Sequence, residues 1–271
     1  INQNMKILIK NAKIIDSTSK HDNKVCDILI NNNVIEKIGK SIQMDSETRI
    51  FKSDNLHLSQ GWMDLHVNFG QPGFEQRETI DNGLKSAAQG GFTDVLLMPN
   101  TNPSIDNSTM VEFLKRYNTK SIVNIQVAGN LTKKQKGENI VEIHDMINSG
   151  CLAFTDDKKS IQSNELMKIA LLYIKDTKSI IMNFPNDKKI QNKGVINEGI
   201  ISTSLGLRGI PNIAEELMLE RDITLCRYTE SKIHQSYIST KESIKKIKEA
   251  KESGVNISSD VALHNIFLTE D

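Results

Sequence analysis

Apolar and polar residues alternate from the start of the chain. The runs "MKILIKNAKII", "CDILINNNVIEKIG" and "TRIFKSDNLHL" therefore read as β-strands, separated by polar turns. They predict a small β module over residues 1–59, beginning with the strand "INQNMKILIKNAKIID" and ending near Ser59. From Gly61 the rhythm changes. Strand-like runs "GWMDLHVNF", "TDVLLMPN", "VNIQVAGNL", "CLAFTDD", "SIIMNFP", "KIHQSYIS" and "NISSDVAL" now alternate with helical stretches such as "RETIDNGLKSAAQGG", "NELMKIALLYIKD", "IPNIAEELMLERDITLCRYT" and "TKESIKKIKEAKESG". The alternation predicts a (β/α) repeat of seven strands over residues 60–271. Thr240 with Ser243 supplies a helix N-cap ahead of "IKKIKEAKESG", and Gly254 stands where that helix should stop.

Seven such steps point to an α/β chain of the (β/α)8 TIM-barrel type. That fold needs eight parallel strands to close and carries its chemistry at their C-terminal ends. The chain stops at Asp271, just after the seventh strand, so an incomplete barrel is expected, with a natural seven-stranded form as the alternative. The N-terminal strands are expected to be part of a small β-sandwich.

Composition narrows the function classes. Apolar content of 38% and charged content of 25% are ordinary for globular proteins. Lys+Arg and Asp+Glu are both 34, so nothing in the overall balance asks for nucleic acid or an anionic membrane surface. The runs "KKSIQ" and "SIKKIKEAKES" read as solvated helix faces. Cys26, Cys151 and Cys226 are odd in number and widely spaced, which argues against a disulfide framework or a cysteine zinc site and fits a reducing, cytoplasmic setting. No segment approaches the roughly 20 uninterrupted apolar residues of a membrane span.

The candidate chemistry lies in "DLHVNFGQPGFEQRETI". On a strand, His66 and Asn68 share a face, because side chains two apart point the same way. Imidazole binds zinc well, whereas a neutral carboxamide is a poor second ligand. "MPNTNP" with Asn100 ends the second strand, and "FTDD" with Asp157 ends the fourth. His264 follows the seventh strand.

With "GWMDLHVNFGQPGFEQRETIDNG", "GGFTDVLLMPNTNPSIDN", "LAFTDD", "GVINEGIISTSLGLRGIPNIAEE" and "YISTKES" in this order, the chain from Met5 to Asp271 resembles dihydroorotases of the amidohydrolase superfamily. The branch is the one that also holds allantoinases and dihydropyrimidinases. The resemblance implies a strand-one motif D-x-H-x-H-F-R-x-P-G, with two metal-binding histidines and an arginine that holds the substrate carboxylate. The matching residues here are His66, Asn68 and Gly70. It also implies a strand-four aspartate, matched by Asp157, and histidines on strands five and six, matched by Asn183 and Tyr237. A substrate-touching asparagine corresponds to Asn100. The strand-eight aspartate that serves the family as acid and base has no match in this chain, so the catalytic residue is unassigned. Dihydropyrimidinases instead carry a carboxylated lysine on strand four; the match here is Asp157, with Lys158 adjacent.

Only His66 and Asp157 thus keep a good ligand among the implied metal positions, whereas a catalytic zinc site normally has three protein ligands. His234 lies three residues from Tyr237 and is expected, by strand parity, to face away. Each survivor has a plain alternative: His66 as a hydrogen-bonded histidine in the barrel mouth, Asp157 as a partner of Lys158 or of backbone N–H groups, Asn100 as a turn residue. The expectation is a noncatalytic dihydroorotase-like protein without a cofactor, acting as a partner subunit of aspartate transcarbamoylase and forming homo-oligomers. The alternative is an active cyclic amidohydrolase with a rebuilt zinc site.

Overall fold

The structure, a computed structural model, describes residues 5–119 and 121–269. The first four residues of the expected N-terminal strand, and Asp271, lie outside them. The chain divides into two compact units, Ile1–Trp62 and Met63–Asp271.

The first unit is built on one five-stranded sheet, β1 (Lys6–Ile15), β2 (Val25–Asn31), β3 (Val34–Gly39), β4 (Arg49–Phe51) and β5 (His57–Ser59). β1 pairs antiparallel with β2 and parallel with β4 and β5. The run "CDILINNNVIEKIG" is two strands, since β2 and β3 form a hairpin. Its turn is Asn32-Asn33, with φ of 50° and 65°, the left-handed pair that a tight hairpin requires and that asparagine tolerates best after glycine. Leu8 and Ile28 are fully buried, and Ala12, Ile14, Cys26 and Ile28 form this unit's core.

The second unit carries a seven-stranded sheet in the order β14-β13-β10-β9-β8-β7-β6. Its members are β6 (Trp62–Val67), β7 (Phe92–Leu97), β8 (Asn124–Gly129), β9 (Cys151–Phe154), β10 (Ile180–Asn183), β13 (Lys232–Gln235) and β14 (Asn256–Ser259). The pairs from β7 to β14 run parallel. Strands β11 (Ile196–Asn197) and β12 (Gly209–Ile210) form a small parallel pair inside the connection after β10, a feature the alternation of the sequence did not announce.

The helices are α1 (Ile80–Gln89), α2 (Ser108–Lys115), α3 (Ile143–Asn148), α4 (Asn164–Ile174), α5 (Lys188–Gln191), α6 (Ile200–Ser204), α7 (Ile213–Thr229), α8 (Lys241–Glu252) and α9 (His264–Phe267). Hydroxyl caps start several of them. Thr79, Ser163 and Thr240 each accept a backbone N–H three residues on, at 3.2–3.3 Å. On α8, Ser243, Ile247 and Ala250 are buried, the spacing of one helix face. Gly254 follows with φ of 83°, as the sequence predicts.

Two apolar layers fix which side chains reach the strand ends. Val95, Leu97, Ile125, Val127, Ile181, Ile233 and Ile257 pack in the large cluster that also holds the helix residues Leu84, Leu114, Met167, Leu171 and Leu219. Leu96, Met98, Ala128, Ala153 and Met182 form a second cluster on the opposite face of the sheet. Met182 stands in register with His234, and His234 with Ser258, so the inner layer passes from thioether to imidazole to hydroxyl toward the β14 edge. Cys26, Cys151 and Cys226 are free and buried.

Candidate functional site

Two constellations occupy the C-terminal ends of the strands. The first is a chain of amides ending on a carboxylate. Asn100, beyond β7, donates through Nδ2 to Asn68 Oδ1 at 2.8 Å and to Asp157 Oδ2 at 2.6 Å. Its own Oδ1 accepts from Gln135 Nε2 at 3.3 Å. Asn100 thereby joins the ends of β6, β7 and β9, and Asn68 is spent on this network rather than paired with the His66 ring. Asp157 takes a left-handed backbone, φ 53°, and its Oδ1 is buried without a partner among the described residues. Its neighbour in "FTDD", Asp156, is structural: it accepts Leu131 N–H at 3.0 Å, Thr132 N–H at 2.9 Å and the Thr132 hydroxyl. Burial pushes the Asp156 carboxyl up, against the lowering effect of those bonds.

The second constellation is a carboxylate held between two imidazoles. Asp260, the residue after β14, accepts through Oδ2 from His66 Nε2 at 2.6 Å and from His234 Nε2 at 2.8 Å. Its Oδ1 accepts the Tyr237 N–H at 2.7 Å. His234 Nδ1 is 2.8 Å from Ser258 Oγ, while His66 Nδ1 is buried with no partner among the described residues. Burial opposes ionisation of Asp260, but the bonds from His234, His66 and Tyr237 outweigh it and hold the carboxyl well below the usual range. The Tyr237 ring lies over His66, centroids 4.3 Å apart, and meets Phe184 edge-on at 6.1 Å. Burial, then the carboxylates of Asp157, Asp260 and Asp64, pushes the Tyr237 phenol far above its ordinary value.

Several expectations change here. His234 does not face away. The strand β13 ends at Gln235, and Tyr237 has φ of 60°, so the backbone turns and the parity rule does not carry from 234 to 237. Asn183 is not at the mouth. Its side chain points to the helical layer, where Nδ2 donates to the fully buried Asp222 of α7 at 2.6 Å; Gln235 Nε2 meets the same oxygen at 3.0 Å. The strand-five residue at the mouth is Phe184, one position later, whose ring has no ligand atom. His264 is exposed on α9 and belongs to neither constellation. Lys158 does not pair with Asp157 in the described structure; its ammonium sits 5.9 Å from the Tyr237 ring centroid.

Gly70, which stands where the family's clamp arginine is expected, is enclosed. A Cβ there would meet the Phe74 carbonyl oxygen at 2.1 Å and that of Glu78 at 3.0 Å, because the loop closes with a Phe74 N–H bond to Gly70 O at 2.6 Å. Beside the mouth, Phe184, Asn197, Pro211, Glu215 and Thr240 line a cavity of about 170 Å³, below the roughly 300–1,000 Å³ of ordinary small-molecule pockets.

The residues implied for the family's metal do not fit it. His66 keeps its imidazole, but Asp157 is engaged by Asn100, Asn68 is a bonded carboxamide, Asn183 is turned away to Asp222 and Tyr237 supplies an aromatic ring. Sequence reasoning missed Asp260 and Gln135 as site residues and set His234 aside. An aspartate directly after the seventh strand was the available signal, by the same rule that picks out Asp157.

Comparisons with known proteins agree with this architecture. A family model described as dihydro-orotase-like matches residues 57–243. The dihydroorotase of Thermoanaerobacter sp. (strain X514) is 40% identical over 268 residues, 98% of this chain and 62% of that protein. The dihydroorotase of Caldicellulosiruptor saccharolyticus is 43% identical over 269 residues, again 98% and 62%. The chain therefore spans about 62% of the length of these curated relatives. Among solved structures, the L-hydantoinase (dihydropyrimidinase) of Arthrobacter aurescens matches with a TM-score of 0.77 at 16% identity, covering 96% of this chain and 58% of that one. The dihydropyrimidinase of Brevibacillus agri NCHU1002 gives a TM-score of 0.75 at 17% identity, with 98% and 59% covered. At those identities the structures speak for the fold alone, a parallel sheet with its covering helices, and the family follows from the sequence match: this chain belongs to the dihydroorotase-like family.

Proposed function

We propose that the protein is a dihydroorotase-like component of pyrimidine biosynthesis that has lost the family's metal-dependent ring chemistry and serves as a scaffold or partner subunit. One observation carries this. The positions where the resemblance asks for histidine ligands hold Asn68, Asn183 and Tyr237: the first carboxamide is bonded to Asn100, the second is turned away to Asp222, and the third is a phenol ring. The space for the substrate-holding arginine is closed around Gly70. Fold and function separate readily, because function resides in the site.

Aspartate transcarbamoylase is the partner we favour, with the protein in the cytoplasm as a homo-oligomer. Full-length protein should co-purify with that enzyme through an interface of roughly 1,000 Å² or more and leave dihydroorotate intact when zinc is added. A monodisperse monomer that ignores the transcarbamoylase, or measurable conversion of dihydroorotate to carbamoyl aspartate, would overturn the proposal. The cluster of His66, His234 and Asp260 favours a second reading, an active cyclic amidohydrolase with a rebuilt zinc site. The same turnover assay separates the two.

A further inference from the structure

Three donors that the family's ligand set does not combine converge at the mouth. The ligating atoms of His66, His234 and Asp260 all lie within 4.8 Å of one another. We propose that these three residues bind a single divalent cation of the zinc class, which ties the first strand of the sheet to the last. This rests on the cluster of the second reading above and deepens it: it names the ligands, two of which lie outside the implied family set, and cation binding is tested separately from turnover.

Donor chemistry supports it. Two imidazoles and one carboxylate are a zinc-type set, borderline in softness and able to leave a fourth position for water. The side chains are 15%, 10% and 19% exposed, sheltered yet within reach of solvent. The supporting contacts are those a metal site uses. Ser258 Oγ stands 2.8 Å from His234 Nδ1 and fixes that ring with Nε2 inward. The Tyr237 N–H takes Asp260 Oδ1 and leaves Oδ2 facing both imidazoles. The Tyr237 ring packs against the His66 ring, tilted 34° to it at a centroid distance of 4.3 Å, and limits its rotation. Zinc at its usual bond lengths sets tetrahedral donors about 3.3 Å apart. The two imidazoles now stand 2.6 and 2.8 Å from Asp260 Oδ2. They need to open by roughly 0.5–0.7 Å to reach that spacing, a movement that side-chain torsions supply. Asp157 stands outside the set.

The test is a titration of Co²⁺ into chelator-treated full-length protein, followed by visible absorption. One Co²⁺ per chain should bind at micromolar concentration and give the intense d–d bands of a low-coordinate site. His234→Gln and Asp260→Asn should lose the bands, and Asp157→Asn should keep them. Ser258→Ala, which removes only the hydroxyl behind His234, should weaken binding by about tenfold. Far-UV circular dichroism distinguishes loss of the site from loss of the fold, and Ser258→Ala carries the test if the other variants do not fold. Absence of bands in the unmutated protein, bands that survive both His234→Gln and Asp260→Asn in folded protein, or bands that vanish in Asp157→Asn would overturn the proposal.

Discussion

His66 Nε2 lies 2.6 Å from Asp260 Oδ2, although 194 residues separate them and they stand on one outer strand of the seven-stranded sheet and directly after the other. The sheet therefore curls far enough for its edges to be joined by side chains, with His234 making the third corner. A flat sheet of this order could not make that contact, since neighbouring strands alone are about 4.8 Å apart.

Acid should release this contact. An unfolded aspartate titrates near 3.9, and the folded Asp260 carboxyl is held well below that by its hydrogen bonds. A depressed folded value means that the stabilisation is complete above the unfolded value and is lost as pH falls through the folded one. Asp260→Asn should cost about 2 kcal/mol at neutral pH and flatten the fall of Tm below about pH 4. Thermal melts of both proteins across that range check it; parallel acid slopes contradict it.

Restoring one histidine should not restore chemistry. Asn68→His puts an imidazole at the strand-one position, but the strand-five and strand-six positions remain Asn183, turned away to Asp222, and Tyr237. The variant should show no zinc-dependent conversion of dihydroorotate above the unmutated protein. Clear turnover would contradict the noncatalytic reading and favour the active one built on His66, His234 and Asp260.

Gly70→Arg should damage the fold before it can hold a carboxylate. Its Cβ would sit 2.1 Å from the Phe74 carbonyl, so the loop must move. Overpacking of this kind costs about 1–3 kcal/mol. A lower midpoint in urea with no gain in dihydroorotate affinity is expected; a stable variant that binds dihydroorotate contradicts this.

Behind the sheet, Asp222 accepts from Asn183 and Gln235 and pairs with Arg221. Asp222→Ala leaves two buried amides and a largely buried guanidinium without their acceptor. A loss of about 3 kcal/mol is expected from equilibrium unfolding, since α7 and the ends of β10 and β13 are joined through this one carboxylate. A change under about 1 kcal/mol would show that the network contributes little.

Much of the framework is legible in the sequence, for reasons that are local. Strand runs of period two, hydroxyl caps such as Thr240 and the glycine stop at Gly254 each depend on a few adjacent residues. The site is less so, because it depends on where a strand ends. A shift of one residue turns a side chain to the other face, which is why Asn183 was expected at the mouth that Phe184 occupies. His234 was expected to face away because the left-handed turn at Tyr237, φ 60°, breaks the alternation on which that expectation relied. Asp260 matters only through partners on β6 and β13, distant in sequence, and no periodicity announces them. Asn68 and Asp157 could be picked out singly, but their connection through Asn100 required the fold.

The buried thiols give the molecule a clock. Burial pushes Cys151 up to about 12 and Cys226 to about 11, so at neutral pH almost no thiolate exists for a reagent to capture. Alkylation must wait for the strand or helix that carries each cysteine to swing away from its neighbours. Cys151 on β9 and Cys226 on α7 would then record, by the mass each gains on alkylation, how often the centre of the sheet and its covering helix open, each in its own time.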